Sequence, residues 1–383
     1  MTVAHRPPNV SPQLSTHLSE FLQQLLNGLS LGAIYALIAL GYTMVYGVLR
    51  FINFAHSDVF MVGAFIGYYA GRLVPEGTLW GGMIVLLAAM LGCALLGIRI
   101  ERSAYRPLRE PTGFNLFTIL GMVIGAVGGY YLCNWFIAGR NVGDFAPALR
   151  LGFGWASGEA LAWLGSRLKP KVVVWKTAGG AATLNVLITA IGVSLLLEYS
   201  GQVFFGAAPR TFPAIFPAQN FQFGSLTISS NQIAVIVVAA LLMLALQFIV
   251  YRTKMGTAMR AVSLNPKAAQ LVGVNNDVVI SFTFGLGSAL AAAGGILYAM
   301  NYPSIDPLMG VMPGLKAFVA AILGGIGNIP GAALGGLLLG TVETFVNGSQ
   351  WSTYKDAIAF AILIIILLFR PAGLLGKFTV EKV

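Results

Sequence analysis

Three stretches of this chain carry residues that could do more than pack. Residues 51–58, Phe-Ile-Asn-Phe-Ala-His-Ser-Asp, put Asn53, His56 and Asp58 within six positions, just after Arg50 and between two apolar runs. A His–Asp pair can relay a proton, but no second acid or base follows to continue a relay. Helix capping by Asn53 or Ser57, or hydrogen bonds that shape a kink, are the plainer roles. The second stretch holds Gly324, Gly325, Gly327, Asn328, Pro330 and Gly331, a density of glycine and proline that should break a helix. The third is 252–274, a long polar and basic segment between apolar runs. Within it Asn265 can cap free N–H groups and Pro266 suits a first helical position. Ala268, Ala269, Leu271 and Val272 then give a short helix with a small-residue face. Such a helix suits docking into a partner's cleft; the alternative is an ordinary connecting loop.

The remaining candidates are weaker. Glu198 and Glu343 are the other acids inside apolar runs. Each could line a pathway, pair with a buried donor, or sit wet at a helix end. No metal-ligand or catalytic set appears: His56 stands alone, and Cys93 and Cys133 read as small buried hydrophobes. Gly376-Lys377 resembles part of a nucleotide-binding loop, but Pro371 stands where its first glycine is needed. The chain itself is therefore expected to bind no ATP and no other cofactor.

The elements that hold these residues belong to a membrane protein. Charged residues are 9% and hydrophobic ones 57%, with mean hydropathy +0.80, whereas soluble domains carry about 25% charge. The net charge of +10 does not indicate nucleic acid, because the basic residues cluster between apolar runs, as they do on the inner side of a membrane. Glycine spacings such as Gly28/Gly32, Gly125/Gly129 and Gly336/Gly340 let helices approach closely.

The fold class expected is an all-α integral membrane protein, a polytopic bundle of about eight to ten transmembrane segments with a broken or re-entrant helix. A crossing of about 30 Å needs roughly 20 residues. Strong runs are 24–48, 79–98, 116–138, 184–205, 232–251 and 278–300; shorter or broken ones are 58–70, 149–164, 315–346 and 355–369. Residues 1–20 read as a polar tail without a signal peptide. Four basic clusters hold 15 of the 23 Lys and Arg: Arg99/Arg102/Arg106/Arg109, Arg167/Lys169/Lys171/Lys176, Arg252/Lys254/Arg260/Lys267 and Arg370/Lys377/Lys382. All should face inward, so an even number of crossings must separate them. Between the third and fourth lie three runs. A break at 324–331 that makes a pair entering and leaving on one side repairs the count; a surface loop between two short helices is the alternative. Irregular backbone at membrane depth is tolerated only inside protein or beside a watery path. The break is thus expected to line a translocation path with Asn53, His56 and Asp58. Three crossings before Arg99 put the N-terminus outside; a re-entrant 50–57 would put it inside.

At this point a family resemblance is carried by long motifs: Asn27-Gly28 through Leu31-Gly32, Gly41-Tyr42-Thr43-Met44-Val45-Tyr46-Gly47, Ile52-Asn53-Phe54-Ala55-His56, Ile100-Glu101-Arg102, Lys316-Ala317-Phe318, the run from Leu323 to Ala332, and Arg370-Pro371-Ala372-Gly373-Leu374-Leu375-Gly376. The chain resembles the LivH-type permeases of bacterial branched-chain amino acid ABC importers over about 20–110 and 185–383. The resemblance implies a multi-pass subunit of the bacterial inner membrane. It would pair with a second related permease and two ABC ATPase subunits, which carry the ATP and magnesium, and would receive solute from an extracytoplasmic binding protein. It also implies that Asn265, Pro266, Lys267, Ala268, Ala269, Gln270, Leu271 and Gly273 form the coupling helix against an ATPase. Such families usually have Gly at Ser57 and Glu at Asp58. Residues 111–184 have no counterpart in the usual pattern and read as an inserted pair of membrane segments.

Rival readings are a urea or short-amide permease of the same family, a proton-coupled carrier using Asp58, His56 and Glu198, and a passive channel with the 324–331 break as a filter. Only the coupled permease uses the polar docking segment.

Overall fold

The computed structural model describes residues 11–106, 116–137, 146–167, 181–224, 226–370 and 372–376. Arg109, Lys169, Lys171, Lys176, Pro371, Lys377 and Lys382 lie outside them, as does part of 111–184. The first helix, α1 (Ser11–Leu49), takes in the second half of the expected polar tail. It is followed by α2 (His56–Gly71), α3 (Leu79–Ile100, continued by one π turn, Glu101–Tyr105), α4 (Leu116–Ile137), α5 (Ala146–Arg167) and α6 (Ala181–Phe205). Then come α7 (Ser230–Arg252), α8 (Lys254–Leu264), α9 (Pro266–Leu271), α10 (Asn276–Asn301), α11 (Val311–Gly324), α12 (Ile329–Asn347) and α13 (Lys355–Phe369). Four short strands form two antiparallel ribbons: β1 (Arg210–Thr211) with β4 (Ser304–Ile305), and β2 (Asn220–Phe223) with β3 (Leu226–Ser229). The fold is all-α, and seven of the described helices are long and apolar enough to cross a membrane.

The ten apolar runs become eleven helices because 315–346 divides into α11 and α12. Gly325 and Gly327 make the division possible, with φ of +104° and +91°, values that residues with a Cβ rarely adopt. From the outer side, α11 descends and α12 returns, so four helices now separate the third and fourth basic clusters. The expected even count holds.

Contacts order the ends. On one side, Gln23 of α1 donates to the Thr227 carbonyl in the β2–β3 ribbon, and Gly71 at the end of α2 abuts Pro213 and Ile215. On the other, Arg106 after α3 pairs with Asp277 in the first turn of α10 at 2.9 Å. The second side carries the basic clusters and is the inner one. The N-terminal end of α1 is therefore outer, and α1, α2 and α3 are three successive passes.

α1 and α12 pack without intervening side chains. A Cβ at Gly336 would fall on the backbone of Ala36, and one at Gly340 on the backbone of Gly32. Around this pair α10 is almost wholly buried, whereas α3, α6 and α7 each turn one face outward. Within 111–184, α4 and α5 pack on each other: Gly125 and Gly129 of α4 lie against Ser157 of α5, whose hydroxyl donates to the Gly125 carbonyl at 2.6 Å. The outer face of α4 shows Ile124, Leu132 and Trp135, as a lipid-facing surface should.

Candidate functional site

At the inner side, α7 ends and the chain turns into α8 and α9. Thr253 caps α8 by accepting from the Gly256 N–H at 3.1 Å. Asn265 ends α8 and starts α9, its Oδ1 accepting from the N–H groups of Lys267 and Ala268 at 3.0 and 3.1 Å. Pro266 takes the first turn, as expected. Gly273, with φ +86°, closes α9: its N–H reaches the Gln270 carbonyl and that of Val274 the Ala269 carbonyl, both at 3.0 Å. This pair of bonds is the Schellman ending. A six-residue helix is thus fixed at both ends by its own residues. Leu264, Leu271 and Val272 are each more than three-quarters exposed around it, beside the exposed Lys267, Ala268 and Gln270. One expectation needs correction. Ala269 does not share that outward face; it is buried against the chain.

The polar knot at 51–58 lies deeper. Leu49 ends α1 at the inner side, and Arg50 turns the chain back with φ +56°. α2 then starts beside Gly41, two turns back up α1, where His56 sits against the Gly41 backbone and packs on Tyr42 at 4.7 Å between ring centres. α11 starts at the same depth from the opposite direction: Gly310 and Gly314 abut Ser57. Two helices therefore begin inside the layer, and their first turns meet.

The structure separates the residues expected to act together there. Asn53 caps nothing; its Oδ1 accepts from the Tyr105 hydroxyl at 2.7 Å. Asp58 accepts from the Ser194 hydroxyl of α6, and no ion pair joins it to His56, so the relay pair is not formed. Ser57 donates to the Phe54 carbonyl at 2.8 Å. His56 Nε2 is buried without a hydrogen-bond partner.

The glycine break does not share the depth of the polar knot. Gly325 packs on Ala372 and Gly376, Leu374 N–H bonds the Leu323 carbonyl at 2.9 Å, and Asn328 donates to the Leu375 carbonyl at 2.7 Å. These partners follow the end of α13, so Gly324, Gly325, Gly327, Asn328 and Pro330 form a helix–helix turn at the inner end. The surface-loop alternative is the correct one for position, although the pairing of α11 with α12 is as required.

A third group was seen in the sequence only through Glu343, an acid able to pair with a buried donor; its partners were not. Lys316 of α11 pairs with Glu343 of α12 at 2.5 Å and with Asp356 of α13 at 2.6 Å; both Lys316 and Glu343 are buried. The Tyr35 hydroxyl of α1 donates to the other Glu343 oxygen at 2.9 Å. A lysine inside an apolar run was the available signal, since such a cation needs a partner. Glu343 lines both of two adjoining cavities near the outer ends of the helices, of about 350 and 170 Å³, and Tyr35, Lys316 and Asp356 line the smaller.

Comparison with known proteins shows the family. A family model described as branched-chain amino acid transport system / permease component matches residues 24–150 and 121–367. The chain is 37% identical to the high-affinity branched-chain amino acid transport system permease protein BraD of Pseudomonas aeruginosa, over 95% of this chain and 98% of that protein. It is 34% identical to the corresponding permease protein LivH of Escherichia coli K12, over 97% of this chain and all of that protein. A shorter likeness, 29% over 31% of this chain and 39% of the relative, links it to the ribose import permease protein RbsC of Haemophilus influenzae. No solved structure matches. With near-complete coverage of two such relatives and a family match across most of its length, this chain belongs to the family of branched-chain amino acid transport system permeases.

Proposed function

We propose that this chain is one permease subunit of an ATP-driven importer of branched-chain or related amino acids, seated in the bacterial cytoplasmic membrane. It forms part of the translocation path with a second, related permease. Two ABC ATPase subunits bind the ATP and magnesium, and an extracytoplasmic binding protein delivers the solute. The observation that carries this reading is α9. A helix capped at both ends by Asn265 and Gly273, ringed by exposed Leu264, Leu271 and Val272, is a preformed apolar knob on the side where an ATPase would sit. Preformed geometry favours docking because little ordering entropy remains to be lost. The separation of His56 from Asp58 weighs against the proton-coupled carrier, and the inner-end position of the 324–331 turn weighs against a mid-membrane filter.

The test is a tagged pull-down from gently solubilised native membranes, read by mass spectrometry. Stoichiometric recovery of a second permease and ATP-binding subunits is expected. Recovery of the chain alone, under conditions that keep a known ABC complex intact, would overturn the proposal.

A further inference from the structure

The two outer cavities share four lining residues, Leu31, Tyr302, Glu343 and Lys355. The larger is walled by the outer ends of α1, α7, α10, α12 and α13, and most of its lining is polar. Amide groups dominate. Asn27 accepts from Gln232 at 2.7 Å, and Asn301 donates to the Ser30 hydroxyl at 3.0 Å. The smaller cavity is more aromatic, with Tyr35 and Tyr298 beside Met312 and Pro313 in its wall, opposite the charged Lys316 and Asp356. Together they reach the lower end of the size range of small-molecule sites, about 300–1,000 Å³.

The charges are balanced but not all engaged. Lys316 is held by Glu343 and Asp356, while Lys355 lines both cavities and forms no ion pair among the described residues. Glu343 receives one bond on each oxygen, and a carboxylate oxygen can accept two. Such a wall offers one available cation, one carboxylate with spare lone pairs, amide groups and, in the adjoining recess, tyrosine rings beside Leu31, Met312 and Pro313. Its two acids and two lysines sum to zero, so it suits a dipolar guest better than a net ion.

Building on the importer reading, we propose that these cavities form an acceptor site for a free α-amino acid within this subunit, open to the outer side. Lys355 binds the α-carboxylate. Glu343 accepts from the α-ammonium. The aliphatic side chain lies against Leu31 and Tyr302 toward the smaller cavity. The buried Lys316, itself paired with the half-exposed Asp356, fixes the Glu343 carboxylate between α11, α12 and α13, so occupancy is felt by three helices.

The chain's two cysteines, Cys93 and Cys133, are both buried, which permits a direct test. Asn347, exposed at the rim of the larger cavity, is replaced by cysteine (Asn347→Cys) in the intact complex in nanodiscs. Labelling by a membrane-impermeant maleimide is then followed without nucleotide or binding protein. L-leucine should slow labelling, whereas 4-methylpentanoate and 3-methylbutylamine, which each lack one charged end, should not at equal concentration. Adding Lys355→Met should raise the leucine concentration for half-protection about tenfold or more, the loss of one charge-assisted hydrogen bond; Lys355→Arg should restore most of it. Labelling unaffected by leucine, or protection unchanged by Lys355→Met, overturns the site. ATP-dependent leucine uptake with the binding protein is measured in parallel. Failure of that uptake counts against the importer reading, while protection still decides the site.

Discussion

Ala268 and Ala269 are consecutive in α9 but meet different surroundings: Ala269 is 3% exposed, and Ala268 faces solvent. The same substitution should therefore fail for different reasons at the two positions. Ala268→Asp puts a charge on the docking face without disturbing the fold. It should abolish solute uptake, leave the protein at wild-type level in the membrane, and lower ATPase co-purification. Ala269→Asp buries a carboxylate with no partner, at a cost of several kcal/mol, and should lower the amount of folded protein. Immunoblots of membranes alongside uptake separate the two; equal uptake and abundance in wild type and Ala268→Asp would remove α9 from the coupling role.

The cap at Asn265 gives a graded version of the same experiment. Its side chain holds two N–H groups, and losing such a cap costs about 1 kcal/mol. Asn265→Ala should loosen α9 and reduce uptake severalfold, with Asn265→Asp close to wild type. Hydrogen exchange of the Lys267 and Ala268 amides should speed up by about five- to tenfold in the alanine variant only, since 1.4 kcal/mol is a factor of ten. Unchanged exchange would mean that neighbouring contacts, and not the cap, hold the helix.

Much of this architecture was legible because it follows from local rules. Apolar run length located the helices, and Asn265-Pro266 announced α9 by capping chemistry alone. Basic clusters fixed the inner side, and parity forced the division of 315–346. What escaped was tertiary. Whether Ala269 faces in or out depends on where α8 and α10 pass. Whether His56 meets Asp58 depends on α6, whose Ser194 takes the carboxylate instead. Lys316, Glu343 and Asp356 lie on three different helices, 27 and 13 positions apart along the chain by subtraction, and no spacing rule joins them. The depth of the 324–331 turn was set by the segment after α13, which packs on it.

Lys316 is the hub of the outer charge set, and its removal should be worse than removal of a partner's charge. Lys316→Met strands Glu343 in a buried site beside Tyr35 and frees Asp356. Breaking a buried pair from one side costs about 3–5 kcal/mol, which in a domain of moderate stability is a large share of the total. Glu343→Gln can turn its one oxygen to Lys316 and its NH2 to the Tyr35 oxygen, and it leaves Lys316 paired with Asp356, so it should cost less. Thermal denaturation of the purified complex should rank wild type above Glu343→Gln above Lys316→Met. The reverse order would show that Glu343, and not Lys316, is the residue on which the set depends.

The turn between α11 and α12 separates a structural from a conducting role for the glycines. Gly325 has φ +104°, and a Cβ there would press on the backbone of Gly376. Gly325→Ala therefore combines backbone strain of about 1–3 kcal/mol with a clash against the C-terminal segment. Gly327 has φ +91° and open space around its Cβ position, so Gly327→Ala carries the strain alone. If the turn is a structural joint at the inner end, Gly325→Ala should lower the melting temperature more than Gly327→Ala. Uptake per folded complex should then fall only in proportion to the loss of stability. A selectivity filter would behave otherwise: either alanine would change which solutes pass while leaving stability nearly alone. Competition of leucine uptake by valine, isoleucine and alanine, measured beside melting curves for both variants, decides between them. The packing of Gly325 on the residues after α13 predicts the first outcome, with an unchanged order of competitors.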